Sequence, residues 1–378
     1  MDAAAQKPRV VVVGPLPPPP HGVAVSTQLV LSSPVLRERV TLSHVDTSDR
    51  RGLGTIGDFD LQNIVLALEH VAQTLYRAAR LRPAVVYLTL SQGLGGLLRD
   101  AALVAAARLA GGRVVLHLHG GNYLTLYRTA SRPVRLLLRA CLERAECVIV
   151  LGDSLVGMVR GIVPGARVFS VPNGAPPVLG DGEPPRRERA GAAAPRVLFL
   201  SGLRPAKGVY LLLECARRLR DEGVPAHFVV AGPWDSEEYR RRGEEYVAAH
   251  RLGDVVTFTG EVSGADRARE YAQADVFVLP SYNEGQPFVV LEAISAGLPV
   301  VGSDTGVIAD MVHDGENGLV VPPGDLEALV AAVRRLATDA GLCAEYGEAS
   351  WRRYRAEYTV QVSHRRLAEV FLAAAGGR

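Results

Sequence analysis

Two series of short β-branched runs, separated by longer amphipathic stretches, constrain this chain more than any other feature of its sequence. In the first series the runs are residues 9–14, 41–46, 84–90, 113–119, 147–151 and 167–171. Helical patterning lies between them, over residues 61–80, 100–110 and 134–144. Near-continuous Val, Leu and Ile runs that alternate with helices predict parallel sheets covered on both faces. Residues 175–195, rich in Pro, Gly and Ala, cannot carry a strand and read as a linker. The alternation then resumes at 196–200, 227–231, 255–259, 276–280, 299–301 and 319–321. Each series is about one domain long, so the 378 residues predict two Rossmann-like α/β domains. The tail 350–375 reads as one helix, with Trp351, Tyr354, Tyr358, Val362, Leu367, Val370 and Phe371 on a broad apolar face.

Apolar residues make up 48% of the chain, which excludes a disordered or collagen-like protein. The net charge of +2 is too balanced for a nucleic-acid binder. It hides an asymmetry, because residues 1–180 carry 19 basic and 11 acidic side chains and the remainder 23 and 29. A basic half and an acidic half imply different tasks. Cys141, Cys147, Cys215 and Cys343 lack metal-binding spacing and sit in apolar contexts, as reduced core thiols of a cytoplasmic protein do. The sequence opens without a secretory pattern, and no apolar run reaches the roughly 18 residues of a membrane span.

Ligands of open α/β sheets bind beyond the carboxyl ends of the strands, so the strand-to-helix turns matter most. The first turn runs from Gly14 through four consecutive prolines to His21 and Gly22, where a G-x-G-x-x-G turn is impossible. That argues against a nicotinamide or flavin oxidoreductase and leaves either a stiff surface loop or a functional one. His117 and His119 alternate at the end of a strand, as a metal pair or as residues of a core or cleft wall. No third zinc ligand suggests itself, and His119, beside Gly120 and Gly121, is the better cleft residue. Asp58 and Asp60 mimic a D-x-D metal-diphosphate motif, but they directly precede a helical pattern and read as helix caps.

The second half carries the stronger signal. Residues 196–208, RVLFLSGLRPAKG, are a strand and a turn bearing Arg204 and Lys207, two cations suited to a leaving phosphate. Only Lys7 and Lys207 are lysines in the whole chain. Residues 275–304 read as a buried strand, a polar turn with Glu284, and a helix from Pro287–Phe288 that contains Glu292. The helix start offers N–H groups to an anion. Carboxylates on either side of it suit hydroxyl-rich groups, such as a sugar and a ribose.

The sequence resembles the GT-B-fold retaining glycosyltransferases of family four (glycosyl transferases group 1). The matching segments are HGVAVST, HLHGG, VPNG, Lys207-Gly208, FTGEV, the E-x7-E segment EGQPFVVLEAISAGLPVV and DGENGLVVPPGD. The resemblance implies two Rossmann-like domains facing a central cleft, with the last helix crossing back to the N-terminal domain. The corresponding boundaries are 1–176 completed by about 358–378, a linker at 177–195, and 196–357. It further implies that Glu284 holds the transferred sugar, Glu292 the ribose and Lys207 the diphosphate. Gln286, Phe288, Val289 and Val290 contact sugar and phosphate, and the segment Gly260–Val262 lines the base. His119 reaches the sugar, and the His21–Gly22 loop closes over donor and acceptor. Catalytic roles fall to His119, Glu284 and Lys207. The expected reaction moves a sugar from a nucleotide-diphosphate sugar, usually UDP-linked, to an acceptor hydroxyl by front-face substitution, without metal or cofactor.

The family's phosphate-binding Arg is replaced by Gly202, so Arg204 either substitutes or stands by. The acidic residue expected after VPNG is also missing, with Ala175 and Pro176 in its place. Two other functions remain: a GT-B sugar-nucleotide epimerase and a non-catalytic nucleotide-sugar-binding protein. The acceptor is either a lipid-linked or cell-surface glycan intermediate or a small natural product such as an aminocyclitol. Arg128, Arg132, Arg135 and Arg139 share one helical face, which either rests on the anionic inner face of a membrane or is simply solvated.

Overall fold

Val10, Val11, Val12 and Val13 are each at most 1% exposed, so the first strand is covered on both faces, as its unbroken valine run requires. The computed structural model describes residues 7–18, 21–50, 61–82, 85–182, 184 and 194–376. Asp58 and Asp60 lie outside the described residues, as do 183 and 185–193 of the linker segment. The chain folds as two units, Met1–Gly174 with Val360–Arg378, and Ala175–Thr359.

In the first unit the order is β1 (Arg9–Gly14), α1 (Gly22–Ser32), α2 (Pro34–Arg39), β2 (Thr41–Asp46), α3 (Leu61–Leu81), β3 (Val85–Leu90) and α4 (Leu94–Leu109). It continues with β4 (Arg113–Leu118), α5 (Tyr123–Thr129), α6 (Arg132–Glu143), β5 (Cys147–Val150), α7 (Val156–Arg160) and β6 (Val168–Ser170). The six strands pair in the order β2-β1-β3-β4-β5-β6, all parallel. The second unit begins with β7 (Arg196–Leu200), α8 (Val209–Asp221), β8 (His227–Ala231), α9 (Glu237–Ala249), β9 (Val256–Gly260), α10 (Gly264–Gln273) and β10 (Val276–Leu279). It ends with α11 (Phe288–Ser295), β11 (Val300–Ser303), α12 (Ile308–Met311), β12 (Gly318–Val321), α13 (Leu326–Thr338) and α14 (Ala340–Arg353). Its sheet is also parallel, in the order β12-β11-β10-β7-β8-β9. Strand order therefore reverses between β1 and β3 in one sheet and between β7 and β10 in the other. Those are the two places where such sheets open a ligand crevice.

The tail departs from the single helix that its pattern predicts. After α14, Tyr354–Tyr358 widens into a π-helical turn and Thr359 is extended, with φ −68° and ψ 150°. A separate helix, α15 (Val360–Gly376), then joins the first unit. The broad aromatic face is thus two faces. Tyr354 and Tyr358 are buried in the second unit, where the Tyr354 hydroxyl donates to the Ala175 carbonyl at 2.8 Å and Ala175 N to Tyr358 O at 3.0 Å. Leu367, Val370 and Phe371 pack in the first unit's core with Val10, Tyr87, Val115 and Ile149. Two helix starts also differ. Helix α4 begins six residues before the expected Asp100, through Gly95 and Gly96, and Pro287 precedes α11 as its N-cap rather than opening it. All four cysteines are buried, and none forms a disulfide. No helix among the described residues is long and apolar enough to cross a membrane.

Candidate active site

In the second unit, the turns after β7 and β10 meet at the strand-order reversal. Gly208 is in the left-handed region at φ +78°, and a Cβ there would lie 2.0 Å from the Pro280 carbonyl oxygen. Only glycine lets the two turns touch. That contact brings Lys207 to Glu284: its ammonium donates to Oε1 at 2.7 Å and to Oε2 at 2.8 Å. Ser281 Oγ donates to Oε1 at 2.6 Å. The Glu284 side chain is only 6% exposed and that of Lys207 18%, so the pair is fixed and partly desolvated. From the next turn, Val307 N donates to the Gly285 carbonyl at 3.0 Å and braces the same loop.

Helix α11 starts directly behind this loop. Ser236, Asp325 and Asp339 each cap a neighbouring helix with a side-chain oxygen, whereas Pro287 gives α11 no such cap. The amides of Phe288 and Val289 therefore stand at an uncapped positive helix end. Gln286 is buried, and its amide nitrogen lies 3.6 Å from the Met311 sulfur.

Glu292 is not the solvated helix position that surface spacing allows. Arg267 donates to its Oε2 from Nε at 3.1 Å and from Nη2 at 2.6 Å, and the Tyr271 hydroxyl donates to the same oxygen at 2.7 Å. Burial, and then the neighbouring Glu292 charge, hold the Tyr271 hydroxyl well above its ordinary pKa, so it stays a donor. All three bonds fall on one oxygen, which fixes the carboxylate while the other oxygen keeps its lone pairs. Gly260 ends the edge strand β9 and accepts from Gly232 N at 2.8 Å, and the exposed Gly260 and half-buried Val262 lead into α10, the helix of Arg267 and Tyr271. Arg204 lies apart from Lys207 and Glu284 in its bonding. Its guanidinium meets Asp235 Oδ2 at 3.2 Å, while Asp235 Oδ1 lies 3.0 Å from where a Gly202 side chain would begin.

In the first unit, β4 ends at Leu118, so His119 stands one residue past the strand. Its ring lies 4.0 Å from that of His117, centroid to centroid, and His117 Nδ1 is 2.5 Å from the buried Tyr87 hydroxyl. Burial, with a smaller contribution from His21, pushes the His119 pKa down to about 4. Burial also lowers His21, and it drives His117 well below the ordinary value. His119 is thus a neutral ring at physiological pH. Among the described residues, no group of three or more His, Cys, Asp or Glu side chains could hold a metal ion. His21 and His119 line one cavity of about 350 Å³, together with Ser48, Ser91, Arg99 and Tyr123. Gly22 follows His21 as the first residue of α1.

The sequence motifs do not include three bonding partners of the two glutamates: Arg267, Tyr271 and Ser281. Arg267 and Tyr271 are four apart on one helix, and Ser281 stands three before Glu284; only that spacing marked them.

A family model described as glycosyl transferases group 1 matches residues 194–339, the segment holding Lys207, Glu284 and Glu292. Over the whole length, the fold is that of sucrose-phosphate synthase from Thermosynechococcus elongatus. The TM-score is 0.73 at 20% identity, covering 98% of this chain and 100% of that one. The chain is a glycosyltransferase of GT-B fold, and its group 1 family match spans residues 194–339. An Anabaena HepE structure in complex with UDP has the same architecture, with a TM-score of 0.73 at 16% identity over 97% of this chain and 100% of that one. Among relatives by sequence, this glycosyltransferase is 28% identical to alpha-D-kanosaminyltransferase of Streptomyces kanamyceticus, over 70% of this chain and 72% of that protein. It is 36% identical to the D-inositol 3-phosphate glycosyltransferase of Geodermatophilus obscurus, over 44% of this chain but 40% of that protein.

Proposed function

We propose that the protein is a retaining glycosyltransferase that moves a sugar from a nucleotide-diphosphate sugar, UDP-linked, to an acceptor hydroxyl. The observation that carries this reading is the row of groups along one sheet edge. Lys207 and Glu284 share the strand-order reversal, an uncapped helix start follows, and Glu292 is clamped on that helix. Lys207 and the amides of Phe288 and Val289 would carry the diphosphate, with Gln286 and Val290 beside the sugar and phosphate. Glu284 would accept from the sugar hydroxyls and Glu292 from the ribose, and the backbone of Gly260 and Val262 would line the base. Arg204, bonded to Asp235, is assigned no phosphate.

In the reaction, the acceptor oxygen bonds to the anomeric carbon on the face from which the phosphate oxygen leaves. The acceptor proton passes to the departing diphosphate, and the anomeric configuration is kept. Cations and helix N–H groups that stabilise the leaving charge supply most of the acceleration, so the step is proposed to need no metal. The neutral His119 ring would hydrogen-bond the transferred sugar, and His21 and Gly22 would close over donor and acceptor. The acceptor is a lipid-linked or cell-surface glycan intermediate or a small natural product, the latter in keeping with the relative named D-inositol 3-phosphate glycosyltransferase. The four arginines do not share one helix, since Arg128 lies on α5 and Arg132, Arg135 and Arg139 on α6, where Arg139 pairs with Glu143 at 2.7 Å. Exposed Arg128 and Arg132 are the basis for proposing peripheral association with anionic membrane at the cytoplasmic face, to be measured by liposome co-sedimentation at low salt.

Thermal unfolding with a panel of nucleotides tests the donor assignment, because a ligand that binds only the folded state raises the midpoint. UDP should give the largest rise, and transfer should persist in EDTA. If Glu284→Ala and Glu292→Ala each left transfer unchanged, the site would be wrongly placed.

A further inference from the structure

Helix α3 is turned inside out. Its buried positions are His70, Thr74 and Ala78, whereas Leu61, Ile64, Val65 and Leu68 are 77%, 52%, 56% and 65% exposed. These four share one face at helical spacing, and Leu94 and Leu98 of the adjacent α4 are 46% and 47% exposed. Apolar surface of this extent marks a binding surface. Between the two helices runs a groove of about 530 Å³, walled by Ile64, Ala67, Leu68, Val71, Leu98 and Ala102. Its size is that of a small-molecule site.

At its inner end the groove adjoins a polar cavity. Thr47, Asp49, Asn63, Ser91, Gln92 and Arg99 line both it and the 350 Å³ cavity that holds His21 and His119. This inner wall is built and rigid. Ser91 N donates to Asp100 Oδ2 at 2.6 Å, and Arg99 bonds both Asp100 Oδ1 and Ser91 Oγ. A ligand reaching from one space into the other must offer hydrogen-bonding groups at its inner end and hydrocarbon at its outer end. A flat membrane or a second protein would cover the outer ridge of α3 but would leave unexplained the polar lining that the groove shares with the His119 cavity.

We infer that the groove between α3 and α4 takes the hydrocarbon chain of an amphiphilic acceptor whose hydroxyl-bearing head lies in the His119 cavity. This rests on the acceptor assignment of the first unit and deepens it, from two acceptor classes to the lipid-linked one.

The test uses the full chain and a fluorescent alkyl probe, 11-(dansylamino)undecanoate, with alkyl β-D-glucosides from methyl to decyl as competitors below their micellar concentrations. Displacement should improve with chain length, by up to about fourfold for each methylene fully buried. Leu68→Gln and Leu98→Gln should flatten that dependence at least tenfold across the series. Leu68 is 65% exposed and Leu98 47%, so the fold tolerates both changes. Leu109→Gln, 83% exposed at the far end of α4, should behave as wild type. Chain-length-independent displacement, or equal loss in all three variants, would overturn the inference. So would a wild-type dimer that Leu68→Gln dissociates, since the face would then belong to a second copy. UDP-induced thermal stabilisation is read in the same samples: its absence would count against the glycosyltransferase donor site, whereas the chain-length series alone decides the groove.

Discussion

Replacing Tyr271 with Phe isolates the role proposed for Glu292. The ring is fully buried and Phe keeps its shape, so the change removes one hydroxyl, with its 2.7 Å bond to Glu292 Oε2 and its longer 3.2 Å contact with the Val289 carbonyl. Arg267 still donates twice to that oxygen, so no buried charge is orphaned. The stability loss should therefore stay near the net value of one hydrogen bond, about 1 kcal/mol. Ligand binding should suffer through positioning, because a looser carboxylate must be ordered when the ribose arrives. Ordering one flexible side chain costs about 0.5–1.5 kcal/mol, or roughly twofold to tenfold in affinity. Arg267→Ala removes the counter-ion as well and should cost more, with Arg267→Lys restoring part of it. Isothermal titration with UDP and with 2′-deoxy-UDP separates positioning from general damage. In the wild type the missing hydroxyl should weaken binding markedly. In Tyr271→Phe the gap between the two ligands should narrow, because the carboxylate no longer rewards the hydroxyl fully. If both ligands weakened equally, Tyr271 would be a packing residue and the proposed ribose contact would be elsewhere.

Three further outcomes follow from the same geometry. Lys207→Met should lower transfer by about 100- to 1,000-fold, the usual consequence of removing a group that stabilises leaving charge, with donor turnover as the readout; an unchanged rate would remove Lys207 from the phosphate. Gly208→Ala should lower the thermal midpoint by several degrees, since a Cβ at φ +78° would press within 2.0 Å of the Pro280 oxygen; a midpoint within a degree of wild type would contradict that packing. Stability should fall as pH drops from 6.5 towards 5. His119 and His364 have folded pKa values of about 4 against an ordinary 6.5, so the unfolded chain takes up their protons first. Their contribution is complete above pH 6.5 and is lost on acidification, by at most about 1.4 kcal/mol per pH unit for each ring. Urea midpoints at pH 7, 6 and 5 measure it, and a flat profile would show that the rings are not buried neutral.

The strands were legible because a parallel sheet buries both faces and writes that burial as unbroken Val, Leu and Ile. Turn residues and polar neighbours close the runs at β1, β2, β7 and β8, whose bounds match the sequence reading. What the pattern concealed depends on contacts far along the chain. Nothing local marks Thr359 as a break, since neither Gly nor Pro stands there. Its extended backbone goes with a parallel bridge to Ala175, 184 residues earlier in the sequence. The early start of α4 was hidden by Gly95 and Gly96, poor helix formers. Gly96 is explained by packing, as a Cβ there would sit 2.5 Å from that of Ser91. The site divides the same way. Glu284, Glu292 and Lys207 lie in a recognisable motif, but the groups that hold Glu292 come from a different helix.

The acidic second half and its proposed anionic ligand pose an apparent conflict that the Lys207–Glu284 pair resolves. Net charge acts at long range and is screened over roughly 8–10 Å, whereas a phosphate held by an ammonium and helix N–H groups answers to atoms within hydrogen-bond reach. Without donor, Glu284 neutralises the one lysine of the second half, and both sit mostly out of water. In the proposed reaction, the incoming diphosphate takes over Lys207, and Glu284, still held by Ser281, turns its freed lone pairs to the sugar hydroxyls. One exchange of partners thus couples phosphate binding to sugar binding. Free UDP offers nothing to the released carboxylate, so a nucleotide without its sugar leaves half of that exchange unrewarded. The same pair that keeps a buried charge from being orphaned would therefore favour the intact donor over the spent nucleotide, which a product-releasing transferase needs.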